Sequence, residues 1–257
     1  MVEELNRTPQ SESQLRREIC AAGRTLRDSG LIPAAAGNLS VRLASGTILA
    51  TPCGAHKGDL SPNDLVLLQS DGTPARAVKR GTRARGANAA RPKPSSEIAM
   101  HLRIYALRPD VRAVCHAHPP VATGFAAAGR ALDSAILGEV AILLGVVPLA
   151  PYGAPGTEDL PESIAPFVTR ANAVLLANHG VVTFAENMRA AVERMELVEH
   201  WARVALVAEL AGGAKLLTRG QVAALIASRR RYGLPPPPAG AIPWIVAEDQ
   251  GGKRRGT

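Results

Sequence analysis

Apolar residues recur every three to four positions in two long stretches of the chain, a spacing typical of amphipathic helices. The first stretch includes Leu15 and Ile19, and Ser11 followed by Gln14 predicts a capping box at its start. The second stretch runs from about 187 to 210. We therefore expect one helix near the N-terminus and a longer helix in the last third of the chain.

Shorter apolar runs, bounded by turn-forming residues, lie between these helices and predict strands. The predicted strands are 39–43, 47–50, 65–69, 111–117, 140–144, 146–149, 173–177 and 181–184. Further helices are predicted at about 95–108, 119–129, 160–170 and 221–230. This alternation favours an α/β fold, a three-layer α/β/α arrangement with helices on both faces of one sheet. Several connections are too short for parallel crossovers, so we expect a mixed, largely antiparallel sheet.

The charged residues are unevenly spread along a chain of 257 residues, which is long enough for one large domain. We interpret 1–257 as a single domain with its core at 12–233, a basic loop insertion at 73–94 and a proline-rich tail at 234–257. The formal net charge of +8 favours acidic partners such as phosphate esters. Aromatic residues make up only 3% of the chain, which argues against the base-stacking surfaces of nucleic-acid-binding proteins.

The cysteines and the hydropathy pattern indicate a cytoplasmic protein. The three cysteines show no CxxC spacing and are odd in number, which argues against a disulfide framework. The N-terminus is polar and acidic, unlike a signal peptide. No apolar run reaches the roughly 20 residues that a membrane helix needs, so we expect no membrane partner.

The strongest chemical signal is the pair His116 and His118, at the end of an apolar strand. Because strand side chains alternate, both rings point to the same face. His179 follows a second apolar strand in the same way. A surface histidine pair is the alternative for the first two residues alone, but three histidines at two strand ends suit a catalytic metal, which takes three protein ligands and leaves one position open.

Other candidates each have a plain structural interpretation beside a functional one. Glu97 is either an acid favoured by the start of its helix or a general base next to the metal. Ser95 and Ser96 are expected to cap that helix, and the same helix start could hold a phosphate. Gly37 and Asn38 form a turn before a strand, where the backbone could also approach a phosphate closely.

Several motifs in this order resemble the class II aldolase/adducin family, and within it the L-fuculose-1-phosphate aldolase type. The matching stretches are AAAGNLSVR, ATPCGAHKGDL, PSSEIAMHLRIY, AVCHAHPP, VPLAPYGAPGTEDL and VLLANHGVVTF. The resemblance covers most of residues 12–233. It implies a homotetramer with active sites at the subunit interfaces.

The resemblance also assigns roles to individual residues. It implies Zn²⁺, or alternatively Mn²⁺ or Co²⁺, bound by His116, His118 and His179, with Glu97 as fourth ligand or as acid/base. The phosphate-binding residues would be Gly37, Asn38, Cys53, Gly54, Ser95 and Ser96. Tyr232 resembles a tail tyrosine that reaches a neighbouring subunit's site and donates a proton. Cys53 departs from the family pattern, which usually has serine or threonine there.

The activity that the resemblance implies is cleavage of a small ketose 1-phosphate of the fuculose-, ribulose- or 5-deoxyribulose-1-phosphate type. The products would be dihydroxyacetone phosphate and an aldehyde, through a metal-stabilised enediolate. A sugar-phosphate 4-epimerase or a decarboxylase on the same metal site is the alternative. A non-catalytic module like the adducin head is disfavoured because all three histidines and Glu97 are kept.

Overall fold

The computed structural model describes residues 10–75 and 92–248. Most of the basic insertion expected at 73–94, and the final nine residues of the proline-rich tail, lie outside these ranges. The prediction of a loop at 73–94 therefore concerns residues that are largely not described. No helix in the described ranges is both long enough and apolar enough to cross a membrane.

Seven strands form one sheet. They are β1 (Asn38–Arg42), β2 (Ile48–Ala50), β3 (Val66–Leu68), β4 (Ala113–Ala117), β5 (Leu149–Ala150), β6 (Ala173–Leu176) and β7 (Gly180–Ala185). The order across the sheet is β3-β2-β1-β4-β7-β6-β5. Every neighbouring pair is antiparallel except β5 and β6, which run parallel. The predicted mixed, largely antiparallel sheet is confirmed.

Helices cover both faces of this sheet. They are α1 (Glu12–Asp28), α2 (Ile98–Leu107), α3 (Pro120–Ala127), α4 (Gly138–Leu143), α5 (Asp159–Val168), α6 (Met188–Leu210) and α7 (Arg219–Ser228). One apolar core lies between the sheet and α1, α3 and α6, and a second lies between the sheet and α2 and α5. The three-layer α/β/α prediction is confirmed. Successive strand residues point to opposite faces of the sheet, so each strand contributes side chains to both cores.

The long helix α6 also fixes the chain segment that follows His118. Its Glu199 is 3% exposed and accepts hydrogen bonds from the backbone N–H groups of Val121 and Ala122. The N–H groups in the first turn of α3 have no acceptor within that helix, so the Glu199 carboxylate of α6 caps α3. Arg203 balances the charge of Glu199 at 2.8 Å. The contacts of Glu199 therefore fix the direction in which the chain leaves β4.

The local signals for α1 are confirmed, whereas the strand prediction at 140–144 is wrong. Ser11 and Gln14 form the predicted capping box. Residues Gly138–Leu143 form α4 instead of a strand. The run VAILL has no polar positions and therefore no period that separates a buried strand from a short helix. The extended segment predicted at 146–149 is shifted, with the strand at Leu149–Ala150.

The predicted serine cap of α2 is also wrong. The N-cap is Glu97, whose side chain makes no capping bond. Ser95 instead accepts a hydrogen bond at its Oγ from the N–H of Glu97, at 3.3 Å. The Glu97 carboxylate turns away from the helix end because it has partners elsewhere, at the histidines.

Candidate active site

His116 and His118 come from the end of β4, at the centre of the sheet. Their ring centroids lie 4.9 Å apart, as the alternation of strand side chains predicts. His116 is fully buried, and its Nδ1 lies 2.9 Å from the carbonyl oxygen of Val181. A carbonyl only accepts, so Nδ1 carries a proton, and Nε2 is the nitrogen through which His116 would bind a metal. Backbone packing thus fixes the tautomer that a metal ligand needs.

His179 reaches the same point from the tight turn between β6 and β7. Asn178 before it has a φ of 55°, a left-handed conformation that asparagine tolerates better than most residues. The His179 ring lies 4.8 Å from that of His116 and 5.1 Å from that of His118, between centroids. The ligand atoms of the three histidines all lie within 4.8 Å of one another.

Glu97 completes this cluster from the start of α2. One carboxylate oxygen lies 3.0 Å from His179 Nε2, and the other lies 3.3 Å from His116 Nε2. Asn38 Nδ2 donates to the second oxygen at 2.7 Å. Burial raises the pKa of Glu97, but its hydrogen bonds and charge interactions with His116 and His179 outweigh this and hold the pKa well below its usual range. Glu97 is therefore a carboxylate at neutral pH.

The donor set fits a divalent metal ion. His118 Nε2 lies 3.1 Å from His116 Nε2, and two such nitrogens either share a proton or face a common cation. Burial, together with His116 and His179, lowers the pKa of His118 to about 4, so this ring is neutral at pH 7 and able to bind a metal. Three imidazole nitrogens and one carboxylate suit zinc, and also manganese or cobalt.

Two glycines allow the backbone to close around these histidines. A Cβ on Gly37 would lie 2.6 Å from the carbonyl oxygen of His116, and the φ of Gly37 is +70°. A Cβ on Gly180 would lie 2.6 Å from the carbonyl oxygen of Ala117 and 2.8 Å from Cδ2 of His118. Contacts below 3.0 Å cannot be kept, so both positions need glycine.

The loops expected to bind phosphate lie side by side next to Glu97. The N–H of Cys53 donates to the carbonyl of Lys93 at 2.9 Å, and the N–H of Ser95 lies 3.3 Å from the carbonyl of Thr51. These bonds bring Cys53 and Gly54 alongside Ser95 and Ser96. Cys53, Gly54 and Ser96 are exposed, so the Cys53 thiol and the Ser96 hydroxyl remain available to a ligand.

Sequence reasoning missed two contacts of the site. The amide of Asn38, a residue predicted to bind the phosphate, donates to Glu97, and its Oδ1 is buried without a protein partner in the described chain. Lys57 is 4% exposed, donates to the carbonyl of Ala35 and interacts electrostatically with Glu97. Lys57 lies inside the matching stretch ATPCGAHKGDL, which is the only sequence signal that could have indicated it.

Tyr232 is not brought to this cluster within its own chain. Its side chain is 64% exposed and follows α7 in a short 3-10 turn. The adjacent Gly233 lines a cavity together with Asp110 and Ala185. Those residues mark the opposite end of β4 and β7 from His116.

His101, one turn beyond Glu97, is buried in a polar network that the sequence did not predict. Its Nδ1 lies 2.7 Å from Ser40 Oγ, which also lies 2.8 Å from the Tyr105 hydroxyl. Burial, followed by the charge of His116, lowers the pKa of His101 to about 3, although Glu97 acts in the opposite direction. His101 is therefore neutral in the folded protein over the usual pH range.

This shift predicts acid sensitivity of the metal-free protein. The pKa of His101 in the folded protein lies below its unfolded value of about 6.5. The contribution of neutral His101 to the free energy of unfolding is therefore fully present above pH 6.5, and it is lost as the pH falls toward 3. The contribution is on the order of 1 kcal/mol per pH unit in that window. Thermal unfolding of His101→Gln should depend less on pH than wild type. The exposed His56→Gln should keep the wild-type slope, and equal slopes in all three proteins would contradict the prediction.

The family described as Class II Aldolase and Adducin N-terminal domain matches residues 17–206, most of the chain. The chain belongs to the class II aldolase and adducin family. The matched range contains the three histidines, Glu97 and both glycines.

Relatives within the class II aldolase and adducin family carry different activities. A 5-methylthioribulose-1-phosphate/5-deoxyribulose-1-phosphate aldolase from Rhodospirillum rubrum is 34% identical over 244 residues, 90% of this chain and 100% of that protein. A 3-oxo-tetronate 4-phosphate decarboxylase from Pectobacterium atrosepticum is 33% identical over 201 residues, 77% of this chain and 86% of that protein. A solved L-fuculose 1-phosphate aldolase structure has a TM-score of 0.75 and 28% identity, covering 88% of this chain and 99% of that one.

Proposed function

We propose that this protein is a metal-dependent class II aldolase, a lyase that cleaves a small ketose 1-phosphate to dihydroxyacetone phosphate and an aldehyde. The observation that carries the proposal is the convergence of His116, His118, His179 and Glu97 on one point. The Rhodospirillum relative, named for aldol cleavage of ribulose 1-phosphates, supports the substrate class.

The three histidines would hold the metal, and Glu97 would be the adjacent carboxylate. A divalent cation there supplies Lewis-acid stabilisation for negative charge on the substrate's oxygens. Cleavage breaks the bond between carbons 3 and 4 and leaves its electron pair on carbon 3, so a proton must be delivered there. The carbon-4 hydroxyl gives up one proton in the same cleavage, so Glu97, a carboxylate beside the histidines, would take up a proton and pass it to carbon 3.

Several finer properties belong to the same proposal. We propose zinc as the native metal, because neutral imidazoles and one carboxylate suit it. We also propose a homotetramer in which Tyr232 of one subunit completes the site of another and exchanges the proton of the carbon-4 oxygen. The position of Tyr232 at the far end of the sheet supports a role in a neighbour's site. The free cysteines Cys20, Cys53 and Cys115 support a cytoplasmic location.

The substrate phosphate would lie between the two adjacent loops that contain Cys53–Gly54 and Ser95–Ser96. Because a hydroxyl is a stronger donor than a thiol, Cys53→Ser should lower the KM for a ketose 1-phosphate by about three- to tenfold with kcat nearly unchanged. Steady-state kinetics on the phosphorylated substrate measure this effect. The unphosphorylated ketose is the control, and its KM should not change. An unaltered KM for the phosphorylated sugar would remove Cys53 from the phosphate site.

The test of function is a panel of ketose 1-phosphates incubated with purified, metal-replete protein. Release of dihydroxyacetone phosphate is followed through a coupled NADH assay. Wild type should release it from at least one member, and His116→Ala from none. Absence of release by a wild type that retains its metal would overturn the aldolase proposal.

Decarboxylation is the second candidate, because the Pectobacterium relative is similar over 77% of this chain. Loss of CO₂ from a 3-oxo acid leaves the same kind of electron pair next to a carbonyl that aldol cleavage leaves, so one metal site can serve both reactions. A phosphorylated 3-oxo acid should be included in the panel, with CO₂ release as the readout. CO₂ release without any dihydroxyacetone phosphate from the ketoses would favour the decarboxylase.

A further inference from the structure

A cavity of about 560 Å³ lies at the end of the sheet opposite the histidines. Its walls include Val111 just before β4 and Ala185 at the end of β7. The start of α6, the turn after α7 and the proline-rich segment 235–239 close the other sides. The cavity shares no lining residue with the metal cluster, so a ligand bound there would occupy a separate site.

Arg229 is the most unusual residue of this cavity. It is 6% exposed, and Nε donates to the carbonyl of Pro235 at 2.9 Å while one terminal nitrogen donates to the carbonyl of Ile142. No carboxylate of the described residues forms an ion pair with it. A guanidinium remains charged in proteins, so this is a buried cation whose only described partners are neutral.

Arg194 on α6 adds a second guanidinium to the same wall. It donates to the carbonyl of Phe184, and its nearest acid is Glu186 at 3.3 Å, on a side chain that is 62% exposed. Arg194 and Arg229 line the same cavity, and burial, followed by the charge of Arg194, lowers the pKa of Arg229. In the described chain, no protein acceptor binds several N–H groups of Arg194 or one terminal nitrogen of Arg229. These atoms are accessible to solvent.

The remaining charges of the cavity do not cancel this pair. Arg108 is neutralised by Asp110, with bonds of 2.8 and 2.7 Å, and its other N–H groups bind carbonyls and Asn172. Three arginines therefore face two carboxylates, Asp110 and Glu186. The surplus is one positive charge, and Arg229 is the arginine of the three that has no carboxylate partner in the described chain.

We propose that this cavity binds a phosphate monoester, with the phosphate between Arg194 and Arg229. A planar guanidinium presents paired N–H groups that match two phosphate oxygens, and a phosphate would give Arg229 the anionic partner that it lacks. The volume leaves room for an organic group beyond the phosphate itself. The ligand would join α6 to the turn after α7 and to the proline-rich segment 235–239.

The test uses inorganic phosphate as the probe, with isothermal titration calorimetry on metal-replete protein at constant ionic strength. Because the proposed active site also binds phosphate, wild type should show two binding events per chain. Arg194→Gln should weaken one of them by about tenfold or more, since it removes charge-assisted hydrogen bonds. Arg194→Lys keeps the charge and the fold but loses the paired N–H groups, and should weaken the same event less.

Arg189→Gln is the matched control. Arg189 lies on the same helix, pairs with Glu193 at 2.7 Å and is 88% exposed, so the variant removes one positive charge away from the cavity. It should bind phosphate as wild type does, whereas a loss equal to that of Arg194→Gln would show a general charge effect and overturn the proposal. Wild-type binding by both Arg194 variants would also overturn it, because the phosphate would then be at the active site alone.

Discussion

Replacement of His116 with alanine should abolish metal binding and catalysis together. His116 is fully buried at the centre of the cluster, within 5 Å of both other imidazole centroids and with its tautomer fixed by Val181. Two histidines and one carboxylate remain in the variant, so the cation would lose one of its three imidazole ligands. Because Lewis-acid stabilisation is worth several kcal/mol, we expect activity to fall by about 1,000-fold or more.

The measurement pairs metal content after gel filtration with the rate of dihydroxyacetone phosphate release. His200→Ala is the matched control, since His200 lies on α6 with its side chain 57% exposed and belongs to no cluster of the described metal-binding side chains. It should retain both metal and activity. If His116→Ala were active without bound metal, the metal-dependent mechanism would be wrong.

Replacement of Glu97 with glutamine should separate catalysis from metal binding. Glutamine keeps the shape of the side chain and can still accept the hydrogen bond of Asn38, but it cannot exchange a proton. Loss of a general acid/base costs about 100- to 10,000-fold, so kcat should fall in that range. The three histidines should still bind one metal ion per chain at saturating concentration, with weaker affinity because one negative charge is gone.

The readouts are kcat at saturating substrate and metal affinity by titration with a chelator. Glu139→Gln is the control, since Glu139 is exposed on α4 and its nearest described partner is His200 at 4.0 Å. It should change neither quantity. A Glu97→Gln enzyme with wild-type kcat would exclude Glu97 from proton exchange, and one that binds no metal would make it an essential ligand instead.

The elements that could be predicted from the sequence are those whose signals are local. The capping box at Ser11 and the alternation around His116 each depend on a few neighbouring residues, and both are present in the structure. The strand predicted at 140–144 failed because its apolar residues carry no period. Tertiary packing decided that segment, with Val140 and Ala141 buried and Leu143 exposed.

The unpredicted parts of the site join residues far apart in the chain. Asn38 and Glu97 are 59 positions apart, and their contact exists only because β1 pairs with β4 beside the start of α2. The register of β1 and β4 places Asn38 directly opposite His116. Likewise, nothing local marks Lys57 as buried or Glu199 as the cap of another helix. Such contacts follow from the order and pairing of the strands. The hydrophobic pattern predicts the fold class but does not predict this order and pairing.

The close packing at Gly37 and Gly180 limits how this enzyme could be re-engineered. Neither residue has a side chain to contribute chemistry, yet each is pressed against the strand that holds the histidines. In a saturation mutagenesis library, both positions should be as intolerant as the metal ligands themselves. Efforts to evolve a new substrate range should therefore leave the strand ends unchanged and diversify the exposed positions of the neighbouring loops, Cys53 and Ser96.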